Sequence, residues 1–202
     1  MMRRAEDEKE PRLRNMAQQL HSFTRHGIYR KYFDGPNSLD YKNNLVVLEL
    51  DHLKGKKHLQ QVVLLQLIAQ LNNEFYLGDR RVPKILLVDE AWEAFEDPMV
   101  AKFLEGAFRR MRKAAAAPVV VTQSLRDLYN SASGEAIANN AANVIVLRQN
   151  GEAIEALKES GRFNIGDYGY EMLKSLHTEP GQYSEVLFRS GTAWGVGRFV
   201  VD

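Results

Sequence analysis

Cysteine is absent from this chain of 202 residues, which excludes disulfide frameworks and thiolate metal sites. Long apolar runs are lacking too, since no stretch could span a bilayer and the N-terminus has no apolar segment of the signal-peptide type. The histidines do not show the spacing of a metal-ligand set. They are His21, His26, His52, His58 and His177. These absences predict a cytoplasmic protein.

An excess of charge of one sign is also missing, because 27 basic and 26 acidic residues leave a net charge of +1. A protein that coats nucleic acid needs a basic surface, so we expect DNA binding to be weak or absent. Hydrophobic residues make up 45% of the chain. This fraction is enough to bury a core, and it excludes a disordered tail.

Short apolar runs alternate with helical patterns along the chain. A charged segment, residues 1–14, precedes a domain over residues 15–202. Apolar runs that alternate with helices predict an α/β domain with a mostly parallel sheet flanked by helices. The C-terminal segment of the domain predicts an antiparallel strand pair, 184–188 and 193–201. The parallel strands are predicted at 45–50, 85–88, 118–122 and 143–147, with helices at 57–77, 97–114, 151–160 and 167–176.

Two adjacent carboxylates, Asp89 and Glu90, follow the apolar run at 85–88. A buried strand avoids charge at its end unless a ligand uses it, and ligands of open α/β sheets bind at the carboxyl ends of the strands. This is the Walker B pattern, in which Asp89 holds Mg²⁺ and Glu90 polarises the attacking water. The alternative is a strand that simply meets solvent and ends in two acids.

Gln123 follows the apolar run at 118–122. In nucleotide-hydrolysing motors, the strand beside Walker B ends in a polar residue that senses the γ-phosphate, and Gln123 is the candidate for that role. A second interpretation, compatible with the first, is that Thr122 or Ser124 caps the next helix.

A basic cluster, Arg109, Arg112 and Lys113, lies on the polar side of the helix predicted at 97–114, with Arg110 beside the core face. One interpretation is a solvated helix end that complements the helix dipole. The other is an arginine finger, or a phosphate contact, at a subunit interface.

A phosphate-binding loop of the form G-x-x-x-x-G-K-[ST] does not occur in the sequence. The nearest lysine–glycine cluster, residues 53–57, lacks both its spacing and its hydroxyl. We therefore expect this chain by itself to bind triphosphate weakly and to be inactive as an ATP hydrolase.

Several segments together resemble the TraC-type (VirB family) ATPases of conjugative transfer. The resemblance runs from about residue 12 to the end of the chain. Its segments are Gly27–Asn37, Val46–Leu50, LLVDEAW at 86–92, RRMRK at 109–113, TQSLRDL at 122–128 and GQYSEVLF at 181–188.

The resemblance implies a RecA-like P-loop NTPase core that contains the Walker B half and lacks Walker A. It implies ATP and Mg²⁺ as cofactors. It places Asp89 and Glu90 on Walker B, Gln123 and Asp127 on the nucleotide-sensing motif, and the arginines and Lys113 on the basic motif between them. The phosphate-binding loop and a secretion-machine-binding domain would lie upstream of Met1.

The function implied is that of a type IV secretion motor, which energises pilus assembly and substrate transfer at the inner membrane. Its partners would be other subunits of the same ATPase, with a hexamer among the candidate assemblies, and inner-membrane secretion components. Two alternatives stay open. One is a DNA-translocating motor of the coupling-protein kind, and the other is a non-catalytic interaction module that docks on full-length subunits.

Overall fold

The computed structural model of the protein describes residues 11–35, 43–53 and 55–200. The chain divides into two compact units, Met1–Val63 and Leu64–Asp202. The sequence-based division into residues 1–14 and 15–202 stays a prediction, since residues 1–10 lie outside the described residues.

In the described part of the first unit, two helices precede residue 56: α1 (Pro11–His21) and α2 (Arg30–Phe33). An aromatic cluster lies in and after the turn between them. The ring of Phe23 stacks on Tyr29 and meets Phe33 edge-on, with 5.4 Å between ring centroids in both pairs. This cluster brings together three of the aromatic residues that follow α1 in the sequence, whereas Tyr32 is exposed.

The strand expected at residues 45–50 is wrong, because the structure gives these residues no regular secondary structure. Leu45 and Val47 are 79% and 72% exposed. An apolar run becomes a strand only where its backbone finds a partner and its side chains find a core. A 3₁₀ turn, Asp51–Leu53, follows this segment.

The helices predicted at 57–77, 97–114, 151–160 and 167–176 agree closely with the structure, whereas the short helix Ala91–Glu96 was not predicted from the sequence. The long helix after residue 56 ends in a π-helical turn, Asn73–Leu77, and the helix after residue 97 ends in a 3₁₀ turn, Met111–Ala114. The described helices after residue 56 are α3 (Lys57–Asn72), α4 (Ala91–Glu96), α5 (Pro98–Arg110), α6 (Leu125–Tyr129), α7 (Ala132–Asn140), α8 (Gly151–Ser160) and α9 (Gly166–Ser175).

Two sheets are formed by the described strands. β1 and β2 pair in parallel, whereas β5 pairs antiparallel with β3, β4 and β6. The strands are β1 (Lys84–Val88), β2 (Ala116–Val120), β3 (Asn143–Val146), β4 (Thr178–Glu179), β5 (Tyr183–Ser190) and β6 (Ala193–Val200). The α/β class with a C-terminal antiparallel pair is thus confirmed.

β3 differs in one respect from the sequence-based expectation. It was placed among the parallel strands, yet it runs antiparallel to β5, with Asn143 opposite Ser190 and Val146 opposite Leu187. The apolar composition of a strand indicates burial but does not encode the direction of its neighbour, which is why the pattern alone missed this.

Helix α5 covers one face of the parallel pair. Its start is fixed by Asp97, whose carboxylate accepts hydrogen bonds from the amides of Met99 (2.9 Å) and Val100 (3.2 Å). The apolar side of this segment faces the core, where Leu104 of α5 and Met111 of the 3₁₀ turn after it are fully buried. The opposite face of β1, which carries Ile85 and Leu87, is exposed.

The antiparallel sheet packs on a second core, made with α8 and α9. Phe163 lies at its centre and has no exposed surface, and the hydroxyl of Tyr170 donates to the carbonyl oxygen of Phe163 at 2.5 Å. This buried hydrogen bond satisfies the one polar group that Tyr170 carries into the core.

Candidate active site at the ends of two parallel strands

The end of β1 places Asp89 and Glu90 in a sharp turn. Glu90 adopts a left-handed backbone conformation, with φ 49° and ψ 43°, and its N–H donates to Oδ1 of Asp89 at 2.9 Å. A non-glycine residue in this region costs about 1–2 kcal/mol, and such strain persists where the surrounding structure imposes it. Helix α4 begins at the next residue, so the turn directs the Glu90 side chain to the edge of the sheet where β1 and β2 end. This edge is called the rim below.

Backbone pairing between the two strands continues past their regular ends. The N–H of Val121 donates to the carbonyl oxygen of Val88, and the N–H of Ala91 donates to that of Val121, both at 3.0 Å. These bonds hold the residues after β1 beside the residues after β2. Two parallel strands of equal length therefore end at the same level, where their polar residues meet.

Gln123 meets Glu90 directly at this rim. Its side-chain nitrogen lies 3.0 Å from Oε1 and 3.2 Å from Oε2 of the glutamate. The side-by-side arrangement of the two strand ends, expected from the sequence, is confirmed. Asp89 and Gln123 are exposed and Glu90 is half-buried, so a ligand can reach all three.

Trp92 is a second donor to the same carboxylate. Its indole nitrogen lies 2.6 Å from Oε2 of Glu90. This contact was not predicted from the sequence. The signal for it was the tryptophan two residues after the glutamate, because an indole N–H is a donor that needs an acceptor.

Asp127 occupies a capping position at the start of α6. Its Oδ2 accepts from the backbone N–H of Ser124 at 3.1 Å, while the Ser124 hydroxyl accepts from the N–H of Arg126 at 3.1 Å. The capping role foreseen for Ser124 is confirmed, whereas Thr122 turns its hydroxyl to the carbonyl oxygen of Ser124 instead. The nucleotide-sensing role of Asp127 stays a prediction.

The basic motif lies at the end of α5 and in the 3₁₀ turn after it. Arg109 forms an ion pair with Glu105 at 2.8 Å, one helical turn earlier, and the Arg109 side chain is still half-exposed. Arg112 and Lys113 are exposed in the turn. The turn closes at Ala115, which has a left-handed φ of 52°. Their assignment to phosphate or finger chemistry stays a prediction.

Of the two cofactors that the family resemblance implies, Mg²⁺ is the one whose ligand chemistry the rim residues match. Mg²⁺ takes hard oxygen ligands and keeps several waters, so a single exposed carboxylate such as Asp89 fits it beside substrate phosphates. The described residues contain no cluster of three or more side chains that could form a cage for a metal ion by themselves. The rim thus fits the metal and water half of a nucleotide site.

Comparison with known proteins gives three concordant results. The family model described as the TraG P-loop domain matches residues 1–187. Protein TraC of Escherichia coli (strain K12) is 30% identical over 159 residues, which is 76% of this chain. The structure of VirB4 of Thermoanaerobacter pseudethanolicus superposes with a TM-score of 0.62, covers 96% of this chain and is 20% identical to it.

The chain spans only part of these relatives, 18% of TraC and 51% of the VirB4 chain. The VirB4 likeness, at its low identity, establishes the fold. Within the part of the chain that the structure describes, we find no helix with the length and apolarity needed to cross a membrane.

Proposed function

Since the chain belongs to the family of TraG P-loop domains, of the TraC and VirB4 type, we propose that it is the Walker B half of an ATP-hydrolysing type IV secretion motor. The single observation that carries this proposal is the contact of Gln123 with both oxygens of Glu90 at the ends of neighbouring parallel strands. An arrangement of base and sensor at one rim is what phosphoryl transfer to water requires.

Each rim residue has a chemical role in this proposal. Glu90 accepts the proton of the attacking water and orients that water. Asp89 supplies the carboxylate for Mg²⁺, whose chemistry is to neutralise charge on the phosphates. Gln123 donates to the γ-phosphate or the water, and thereby couples nucleotide occupancy to the orientation of Glu90.

The basic motif completes the proposed site from a neighbouring subunit. Arginine has a planar fork that suits a phosphate, and Arg112 is exposed in a turn at the end of α5. Arg109 is already paired with Glu105, which makes Arg112 the better candidate for the finger. Lys113 is the accompanying phosphate contact, and Asp127 responds to the nucleotide through the cap of α6.

The motor is proposed to work as an oligomer of like subunits, bound peripherally at the inner membrane through secretion components. There it would energise pilus assembly and substrate transfer. The near-zero net charge gives little long-range attraction for DNA, so DNA is not its proposed ligand.

The test is ATP turnover by a polypeptide that contains both this chain and a G-x-x-x-x-G-K-[ST] loop. Glu90→Gln is expected to lower kcat at least about 100-fold while nucleotide binding stays, because the variant loses only the base. Glu96→Gln, an exposed glutamate at the end of α4, is the matched control and should keep turnover. An active Glu90→Gln protein would remove Glu90 from the role of base.

A further inference from the structure

Trp92 makes a contact that the proposed chemistry does not yet use. Its indole N–H points at Oε2 of Glu90 over 2.6 Å. This is shorter than the usual distance for a nitrogen donor. The indole has no other polar atom, so the direction of the ring is fixed by this one acceptor.

Burial does not explain why a tryptophan stands here. The side chain is 38% exposed. A ring that served mainly as a core anchor would be enclosed, as Phe163 is in the second unit. The contact with Glu90 is therefore the better account of the residue.

The catalytic glutamate needs such a support for two reasons. A free glutamate side chain has about 1.5–2 kcal/mol of rotamer freedom, and an unconstrained base spends little time aimed at its water. Gln123, which also donates to Glu90, is assigned above to the γ-phosphate or the water. When Gln123 turns to that task, a donor that belongs to the same turn as Glu90 can remain in place.

We propose that Trp92 is the positioning residue for Glu90, holding Oε2 so that Oε1 faces the attacking water while Gln123 changes partner. This rests on the proposed function, in which Glu90 is the base. In this proposal Trp92 acts through the carboxylate of Glu90, to which its indole N–H donates.

The hydrogen bond can be measured on the 202-residue chain by ¹⁵N–¹H spectroscopy of the indole groups. The chain contains two tryptophans, so Trp92→Phe identifies the Trp92 signal and Trp194→Phe serves as the control. The Trp92 proton is expected downfield and protected from solvent exchange. Glu90→Ala should move it upfield and remove the protection, Glu90→Gln should shift it part of the way, and Gln123→Ala should leave it in place.

A Trp92 signal that ignores Glu90→Ala, or that moves as far in Gln123→Ala, would overturn the proposal. The second measurement is turnover by the polypeptide that carries the phosphate-binding loop. Trp92→Phe is expected to lower kcat about tenfold with little change in KM, and Trp194→Phe to change neither. If Glu90→Gln is inactive while Trp92→Phe keeps the normal kcat, Trp92 does not position the base. If Glu90→Gln itself stays active, the function proposed above fails instead.

Discussion

Gln123 and Glu90 are 33 residues apart in the chain, yet one side-chain amide nitrogen bridges both oxygens of the carboxylate. The contact depends on the register of the parallel pair, in which Val88 lies opposite Val120. The register of the two strands thus places the candidate sensor, Gln123, beside the candidate base, Glu90.

Removal of the amide tests the sensor assignment. Gln123→Ala is expected to lower kcat by about 10²-fold in the polypeptide with a phosphate-binding loop, because a donor to the developing charge is lost. Gln182→Ala, in the exposed turn before β5, is the control. Normal turnover in the Gln123→Ala protein would contradict the assignment of Gln123 as the sensor.

A mixture of two inactive proteins tests whether Arg112 acts across a subunit contact. Oligomers that combine Arg112→Ala and Glu90→Gln subunits should regain part of the ATPase activity, since some interfaces then pair an intact base with an intact finger. If Arg112 acts within its own subunit, mixing restores nothing. DNA affinity that depends strongly on salt and is lost in Arg112→Ala would also contradict the finger.

The left-handed Ala115 predicts a stabilising substitution. Ala115→Gly should raise the free energy of unfolding by roughly 0.5–1 kcal/mol, because glycine relieves the backbone strain at a φ of 52°. Ala117→Gly, in the exposed register of β2, should instead lower it by about 0.5–1 kcal/mol. Urea unfolding of both variants distinguishes the backbone effect from the loss of a methyl group.

Substitutions at the cap of α6 distinguish a role in stability from a role in nucleotide sensing. Ser124→Ala should cost about 1 kcal/mol of unfolding free energy, since the N–H of Arg126 loses its acceptor. Ser190→Ala, exposed at the end of β5, is the control. Asp127→Asn with unchanged nucleotide affinity would restrict Asp127 to capping, whereas a weakened affinity at equal stability would support its sensing role.

Glu185 predicts a pH dependence of stability. Burial raises its pKa, but the hydrogen bonds from Arg198 and from the backbone N–H of His177, together with the electrostatic influence of the same two residues, outweigh this effect. The pKa in the folded protein therefore lies below the ordinary 4.5, so the stabilisation is complete above about pH 4.5 and is lost as the pH falls through the folded value.

Glu185→Gln should accordingly lower stability near neutral pH, and its deficit against the unsubstituted protein should shrink on acidification. Denaturant unfolding at about pH 7 and about pH 3.5 measures this difference. Glu159→Gln, exposed on α8, should show no such convergence. A Glu185→Gln deficit that is the same at both pH values would contradict the assignment.

The predictable part of the site was its composition and the adjacency of two strand ends. An apolar run that ends in a polar residue indicates a buried strand and also the point at which that strand ends. Asp89, Glu90 and Gln123 could therefore be found from the sequence. The indole contact of Trp92 and the backbone of Glu90 could not, because they depend on how one turn is closed. The strand predicted at residues 45–50 is absent from the structure. Its apolar composition predicted burial, but composition does not show whether a partner strand is available.

The left-handed backbone at Glu90 also bears on how this position can change over generations. Glycine, asparagine and aspartate tolerate that conformation better than glutamate, while none of them presents a carboxylate at the same reach. Under the proposed function, in which Glu90 is the base, selection for turnover and selection for an unstrained backbone oppose each other at this position. Among related sequences that no longer hydrolyse ATP, we expect glycine, asparagine or aspartate to replace the glutamate at the position equivalent to 90.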